Sequence, residues 1–304
     1  MGEQIGRLPA CDYFHVIFTI PAELNALWSY NRARFTNLLM RAAWETLRQM
    51  LADTKHLGAL PGAVAGFHSW GQTLWVHPHA HFLVSAGGID EQGRWRACPY
   101  SGLLPARALS AKFRGKLRAW LIREIEQERL VLPPERTRQQ WLNELNRLGR
   151  KKHHVMVMPR YPHGRGVIRY LGRYLKGGCV SDRRLRILPD GSVQLAYKDN
   201  ACNPPKRQSM AFRPDDFLGR VLAHVPETGQ HVVRSYGLFA SGRGEELERI
   251  REALGELPRE EDEIGTEPRA EPGRPPDLCP ICGAVLVTVP IAPIARAPPC
   301  TEGR

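Results

Sequence analysis

The chain has no run of about eighteen apolar residues, so nothing in it reads as a membrane-spanning helix. It also lacks the order of a signal peptide: the start, Met1-Gly-Glu-Gln-Ile-Gly-Arg-Leu-Pro9, never passes from charge to an apolar stretch, and the protein is expected in the cytosol. Its seven cysteines (Cys11, Cys98, Cys179, Cys202, Cys279, Cys282, Cys300) are odd in number and scattered, which argues against a secreted disulfide framework and for reduced thiols. Acidic residues are scarce beside basic ones, 31 against 43, and the formal net charge is +12. That imbalance favours a polyanionic partner, nucleic acid first and an anionic membrane surface second.

What is present is a globular composition, 42% hydrophobic and 24% charged over 304 residues, enough for one large domain or two small ones. The aromatic and β-branched run 13–20 predicts a strand closed by Pro21. Over 22–51 the apolar spacing of three, four or seven predicts an amphipathic helix or a broken pair, with Arg32, Arg34, Arg41 and Arg48 on its polar face. Segments 63–70 and 74–84 read as a hairpin through Gly71-Gln72-Thr73, with Gly87-Gly88 ending the second arm. Helices are expected over 106–126 and 134–148, a strand over 153–160, and a compact helix over 166–176 stopped by Gly177-Gly178. Pro189-Asp190-Gly191 predicts a turn between strands 184–188 and 192–198, with a third strand at 208–212. A helix over 215–224, a strand over 230–236 and a helix over 245–254 complete the ordered part. Beyond Pro258 the chain turns acidic and then rich in Pro, Gly and Arg, so a largely disordered tail is expected. Its Cys279-Pro-Ile-Cys282 resembles half of a zinc knuckle, and the tail alone does not supply a closed four-ligand set.

Two constellations carry chemistry. In Trp75-Val-His77-Pro-His79-Ala-His81-Phe-Leu-Val84 the period of two along a strand puts three imidazoles on one side. His79 and His81 would sit about 6.5–7 Å apart at Cα, a span that side chains can close around one cation while a neighbouring element supplies a third ligand. An isolated pair of this kind is more often solvent-facing than ligating, but here three of eleven histidines crowd into five residues. The second constellation is Tyr170-Leu-Gly-Arg-Tyr174, which sets two phenols on one helical face about 5–6 Å apart at Cβ. Two aromatics at that spacing usually mark a core stripe. Their neighbours Arg169, Arg173, Lys176, Gly166 and Gly172 point instead to a helix that seeks phosphate. A tyrosine that cleaves a phosphodiester must attack phosphorus while the scissile phosphate is polarised and the leaving 3′ oxygen is stabilised, two tasks suited to a fixed cation with arginines nearby. Basic residues Lys151, Lys152, Arg165 and Arg183-Arg184 concentrate around this helix, and Trp70, Trp75 and Tyr161 are available to stack on bases.

Taken together, Tyr13-Phe-His-Val-Ile-Phe-Thr-Ile-Pro21, His68-Ser-Trp-Gly-Gln-Thr-Leu74 followed by His77-Pro-His-Ala-His81, Arg169-Tyr-Leu-Gly-Arg-Tyr174 and Arg234-Ser-Tyr-Gly-Leu-Phe239 resemble, in order, the rolling-circle insertion-sequence transposases of the HUH endonuclease superfamily. The resemblance covers roughly residues 10–255. It implies an α+β fold, an antiparallel palm-like sheet with helices packed on it. It also implies nicking of single-stranded DNA and strand transfer through a 5′-phosphotyrosine bond, with Tyr170 and Tyr174 as nucleophiles. His79 and His81 would be ligands to magnesium or manganese; His68 is the first choice for the third ligand, then Gln72, with His77 able to orient a phosphate. Arg169, Arg173, Lys176, Lys151, Lys152 and Arg165 would contact the DNA at element ends and target. No membrane or small-molecule substrate is implied. Ala80 is smaller than the bulky residue usual between the two histidines, which predicts weaker local packing. The resemblance also implies a cysteine-rich zinc segment ahead of Tyr13, so residues 1–12 are expected to be its remnant in a truncated copy, before a catalytic domain over 13–256 and a tail over 257–304. The alternatives are a replication initiator or relaxase using the same chemistry, a copy that binds DNA without cutting it, and a metal hydrolase of small substrates.

Overall fold

A computed structural model describes residues 8–151, 153–162, 178–199 and 204–255. The chain divides into two compact units, 1–257 and 258–304, and the tail expected at the C-terminus lies outside the described residues. So does the helix expected over 166–176.

Five strands form one antiparallel sheet in the order β5-β1-β3-β2-β9: β1 (Tyr13–Thr19), β2 (Leu60–Trp70), β3 (Val76–Ile89), β5 (Val155–Tyr161) and β9 (Val233–Gly237), with the short β4 (Trp95–Ala97) paired to the end of β3. Alternation along the strands gives the sheet two different faces. One carries Phe14, Val16 and Phe18 of β1, Ala63, Ala65 and Phe67 of β2, and Ala80, Phe82 and Val84 of β3, all in one buried cluster. Four helices cover that face: α1 (Asn25–Tyr30), α2 (Arg32–Leu51), α3 (Ala106–Glu126) and α4 (Arg138–Leu148). The stripe Leu109, Phe113, Leu117, Leu121 of α3 recurs every four residues and is buried throughout, as an amphipathic helix on a sheet requires.

The segment 22–51 is a broken pair, and the break is chemical. Asn31 leaves helical geometry (φ −138°, ψ 42°), and its amide is clipped to Val131 by Nδ2 to the carbonyl at 2.8 Å and by the Val131 N–H to Oδ1 at 2.8 Å. Helix α4 starts four residues later than the sequence suggests because Thr137 and Gln140 form a capping box that fixes the first turn at Arg138.

Gly87-Gly88 does not end the hairpin arm: β3 runs through both to Ile89. Here glycine answers to crowding. A Cβ on Gly87 would lie 2.3 Å from Trp95 Cζ2, and one on Gly88 would lie 2.4 Å from the Leu60 carbonyl oxygen, so the strand keeps its pairing only without side chains. The expected looseness around Ala80 is also absent. Ala80 is fully buried with Phe18 and Phe67 as its direct cross-strand partners, and those rings take the volume that a larger residue would need.

A second, three-stranded sheet of β6 (Leu185–Ile187), β7 (Val193–Asp199) and β8 (Lys206–Phe212) is antiparallel in that order, turned at Gly191 (φ +80°) as Pro189-Asp190-Gly191 predicts. Leu195 and Phe217 of α5 (Pro214–Leu222) bury its inner face against Leu74 of the β2–β3 connection. Its outer face carries Arg186, Lys198 and Arg207 with Gln194 and Ser209, and no carboxylate among these alternating positions. A last helix, α6 (Gly244–Ala253), packs Leu247 and Ile250 against Tyr13, Val64 and Leu83 on the face of the main sheet opposite α1–α4. Among the described residues no helix is long and apolar enough to cross a membrane, and Cys98 and Cys179 are free thiols.

Candidate metal centre

The histidines occupy the face of the main sheet that the four helices leave uncovered. Strand register decides which of them meet: β2 and β3 pair so that His68 stands directly opposite His79, and Gly66, with no side chain, stands opposite His81. His68, His79 and His81 converge, each offering one ring nitrogen, with these three nitrogens within 4.8 Å of one another. His68 packs edge-on to His81 at 4.6 Å between centroids and stacks on Trp70 at 4.4 Å, which fixes its ring plane.

Burial keeps His79 and His81 neutral. Desolvation pushes His79 down to about 3, with the positive fields of neighbouring histidines adding to it, and it drives His81 well below the ordinary imidazole range for the same reasons. Neutral imidazole is the form that binds a cation. The Nδ1–H of His79 donates to the His77 carbonyl at 2.6 Å, which sets the tautomer and leaves Nε2 as the lone-pair nitrogen. The donor set therefore suits a divalent ion: three imidazole nitrogens held close together, with His68 and His81 buried.

The other expected ligands stand apart. His77 shares the face but is exposed, with its ring 5.1 Å from that of His79, and it lies outside the converging group. Gln72 is exposed in the connection, where its backbone carbonyl accepts from the Arg184 guanidinium. That connection is held by His224, buried, whose Nε2–H donates to the Leu74 carbonyl at 3.0 Å while Nδ1 accepts from the Ser69 hydroxyl at 3.1 Å.

Of the residues expected to meet DNA, Lys151 follows α4 and is ion-paired with Glu23, which Arg147 also contacts. The Lys151 ammonium and the Arg147 guanidinium together hold the Glu23 carboxyl down at about 2. Tyr170, Tyr174, Arg165, Arg169, Arg173, Lys176 and Lys152 lie outside the described residues. Trp75, by contrast, is 46% exposed four residues before His79, and the Arg220 guanidinium lies 3.8 Å from its ring centroid.

One polar residue of the site went unassigned in the sequence. His15 on β1 shares the histidine face, and its Nε2 lies 2.9 Å from His81 Nδ1. A single histidine inside the apolar run 13–20 was the available signal.

Comparison with known proteins brings four similarities. The family model Y2_Tnp, described as "Putative transposase", matches residues 62–246. "Putative transposase y4qJ" of Sinorhizobium fredii is 34% identical over 261 residues, covering 84% of this chain and 65% of that protein. "Transposase for insertion sequence element IS801" of Pseudomonas savastanoi pv. phaseolicola is 29% identical over 293 residues, 93% of this chain and 69% of that protein. The chain thus spans about two thirds of the length of these curated relatives. The nickase domain of non-structural protein 1 from human bocavirus aligns at a TM-score of 0.33 and 11% identity, over 71% of this chain and 96% of that one, too slight a likeness to bear on the site.

Proposed function

Because the chain belongs to the Y2_Tnp family of transposases, we propose that it nicks one strand of DNA and transfers that strand in rolling-circle transposition, acting on single-stranded DNA at element ends and target. The observation that carries the proposal is the convergence of His68, His79 and His81 on the face of the sheet opposite α1–α4. A divalent ion held by these three, magnesium or manganese, would polarise the scissile phosphate and stabilise the leaving 3′ oxygen.

The chain's own residues would do the rest. The phenol of Tyr170 or Tyr174 gives up its proton and attacks phosphorus, the bond from phosphorus to the 3′ oxygen breaks, and that oxygen leaves as a hydroxyl. The 5′ phosphate is then esterified to tyrosine, which keeps the bond energy for rejoining. Two phenols four residues apart in sequence would let one hold a 5′ end while the other attacks a second strand. Arg165, Arg169, Arg173 and Lys176 would neutralise the phosphates, with the outer face of the second sheet extending the cationic surface.

The test is covalent capture. Incubation of the protein with single-stranded element ends and Mg²⁺ or Mn²⁺ is expected to yield an adduct that survives denaturation and maps to Tyr170 or Tyr174. Tyr170→Phe combined with Tyr174→Phe should abolish it. Capture that persists in the double variant would place the nucleophile elsewhere, and salt-sensitive binding without any adduct would identify a DNA-binding protein that does not cut.

A further inference from the structure

We propose that His15 is a positioning residue for the metal centre: its Nε2 accepts the Nδ1–H of His81 and so holds His81 in the tautomer whose Nε2 carries a lone pair for the ion. The proposal rests on the reading of His68, His79 and His81 as a cation site.

The geometry is specific. Strand β1 pairs with β3 so that Ile17 faces His81 and His15 faces Leu83, which makes His15 and His81 diagonal neighbours on one face of the sheet. Their rings lie 5.1 Å apart at the centroids, inclined by 31°, with Nε2 and Nδ1 at 2.9 Å. Both residues are buried, at 3% and 4% exposure, so water does not readily replace either partner.

Two neutral imidazoles sharing one hydrogen bond have two proton arrangements. If His15 donates, His81 accepts at Nδ1 and must carry its own proton on Nε2, which then has no lone pair. If His81 donates, its Nε2 is unprotonated and can ligate. Only the second arrangement is compatible with His81 in a three-imidazole site. In it His15 does for His81 what the His77 carbonyl does for His79. The two strand ligands are thus oriented by different means: one by its own strand's backbone, the other by a side chain from the adjacent strand. The carbonyl can only accept, whereas the imidazole can serve in either sense, so loading of the ion selects the proton arrangement of the His15–His81 pair.

The experiment compares Mn²⁺ affinity of the wild-type full chain with that of His15→Phe, His15→Gln and His81→Ala, measured by calorimetry and by electron paramagnetic resonance of free Mn²⁺. Phenylalanine keeps bulk and removes the acceptor, and binding is expected to weaken 10- to 100-fold. Glutamine carries its amide oxygen at about the reach of imidazole Nε2, and affinity should return to within a few-fold of wild type. Nitrogen-15 spectra of the Zn²⁺-loaded wild type should show His81 protonated at Nδ1 and His15 unprotonated at Nε2, a readout that needs no variant to fold. Equal Mn²⁺ affinity in His15→Phe and wild type, a glutamine variant as weak as phenylalanine, or His15 protonated at Nε2 would each overturn the proposal. Absence of any Mn²⁺ binding in wild type, matched by His81→Ala, would instead refute the cation site itself.

Discussion

Replacing His153 by phenylalanine is expected to remove about 2 to 3 kcal/mol of the protein's loss of stability at pH 4.5. His153 is 3% exposed just ahead of β5, edge-on to Phe113 at 6.1 Å and lined by Leu24, Leu117, Leu121, Leu145 and Leu148. Neither ring nitrogen has a hydrogen-bond partner; the Leu148 carbonyl lies near enough to favour a charged ring but outside bonding geometry. Desolvation, helped by the Arg114 guanidinium and opposed by Leu148 and Glu23, lowers the imidazole from 6.5 to about 4. The folded value lies below the unfolded one, so as pH falls the unfolded chain takes up the proton first. Stability is whole above the unfolded value, declines between 6.5 and about 4, and levels off below. At about 1.4 kcal/mol per pH unit the full loss comes to roughly 3 to 4 kcal/mol, of which about 2 to 3 kcal/mol is already expressed at pH 4.5. Urea unfolding of wild type and His153→Phe at pH 7.5 and pH 4.5 isolates this group, because every other titration is common to both proteins. The stability difference between variant and wild type should shift in favour of the variant by about 2 to 3 kcal/mol on acidification. Parallel pH profiles would refute the reasoning and show that the ring is charged or solvated in the folded state.

Other perturbations test the sheet and the site. Ala80→Leu should destabilise by about 1–3 kcal/mol in urea unfolding, since Phe18 and Phe67 already fill the space beside it; a neutral or stabilising result would reveal a void. Calorimetry should find Mn²⁺ bound roughly tenfold or more tightly than Mg²⁺, because the three imidazoles, with no carboxylate beside them among the described residues, suit a nitrogen-accepting metal better than one that demands oxygen. Joint replacement of Arg186, Lys198 and Arg207 by alanine should reduce the slope of log affinity for single-stranded DNA against log salt by about 2, from about 0.7 per lost phosphate contact. An unchanged slope would remove the outer face of the second sheet from the DNA path.

Much of this arrangement could be seen in the chain before any coordinates. Period two alone sets His77, His79 and His81 on one side of β3, and the four-residue stripe of α3 and the Pro189-Asp190-Gly191 turn are local signals that local rules decode. The choice among His68, Gln72 and His77 is not local. It depends on how β2 registers against β3, and that pairing shifts at a bulge between His68 and Trp70 that no spacing reveals. Glycines 87 and 88 mislead for a related reason: a breaker by propensity becomes a necessity where Trp95 and the Leu60 backbone press on the strand. His15 shows the opposite limit. Its position in β1 is plain from the sequence, but its acceptor role exists only once β1 lies beside β3.

Because β3 shows phenylalanine and aliphatic side chains to one side and imidazoles to the other, an insertion or deletion of one residue between His79 and His81 would turn every downstream side chain over. Interior stability and cation capture would vanish in the same event, with no half-working intermediate. Copies of such a gene that drift should therefore tolerate changes of length at 71–75 and 90–94, where the backbone turns, and record almost none within the strand.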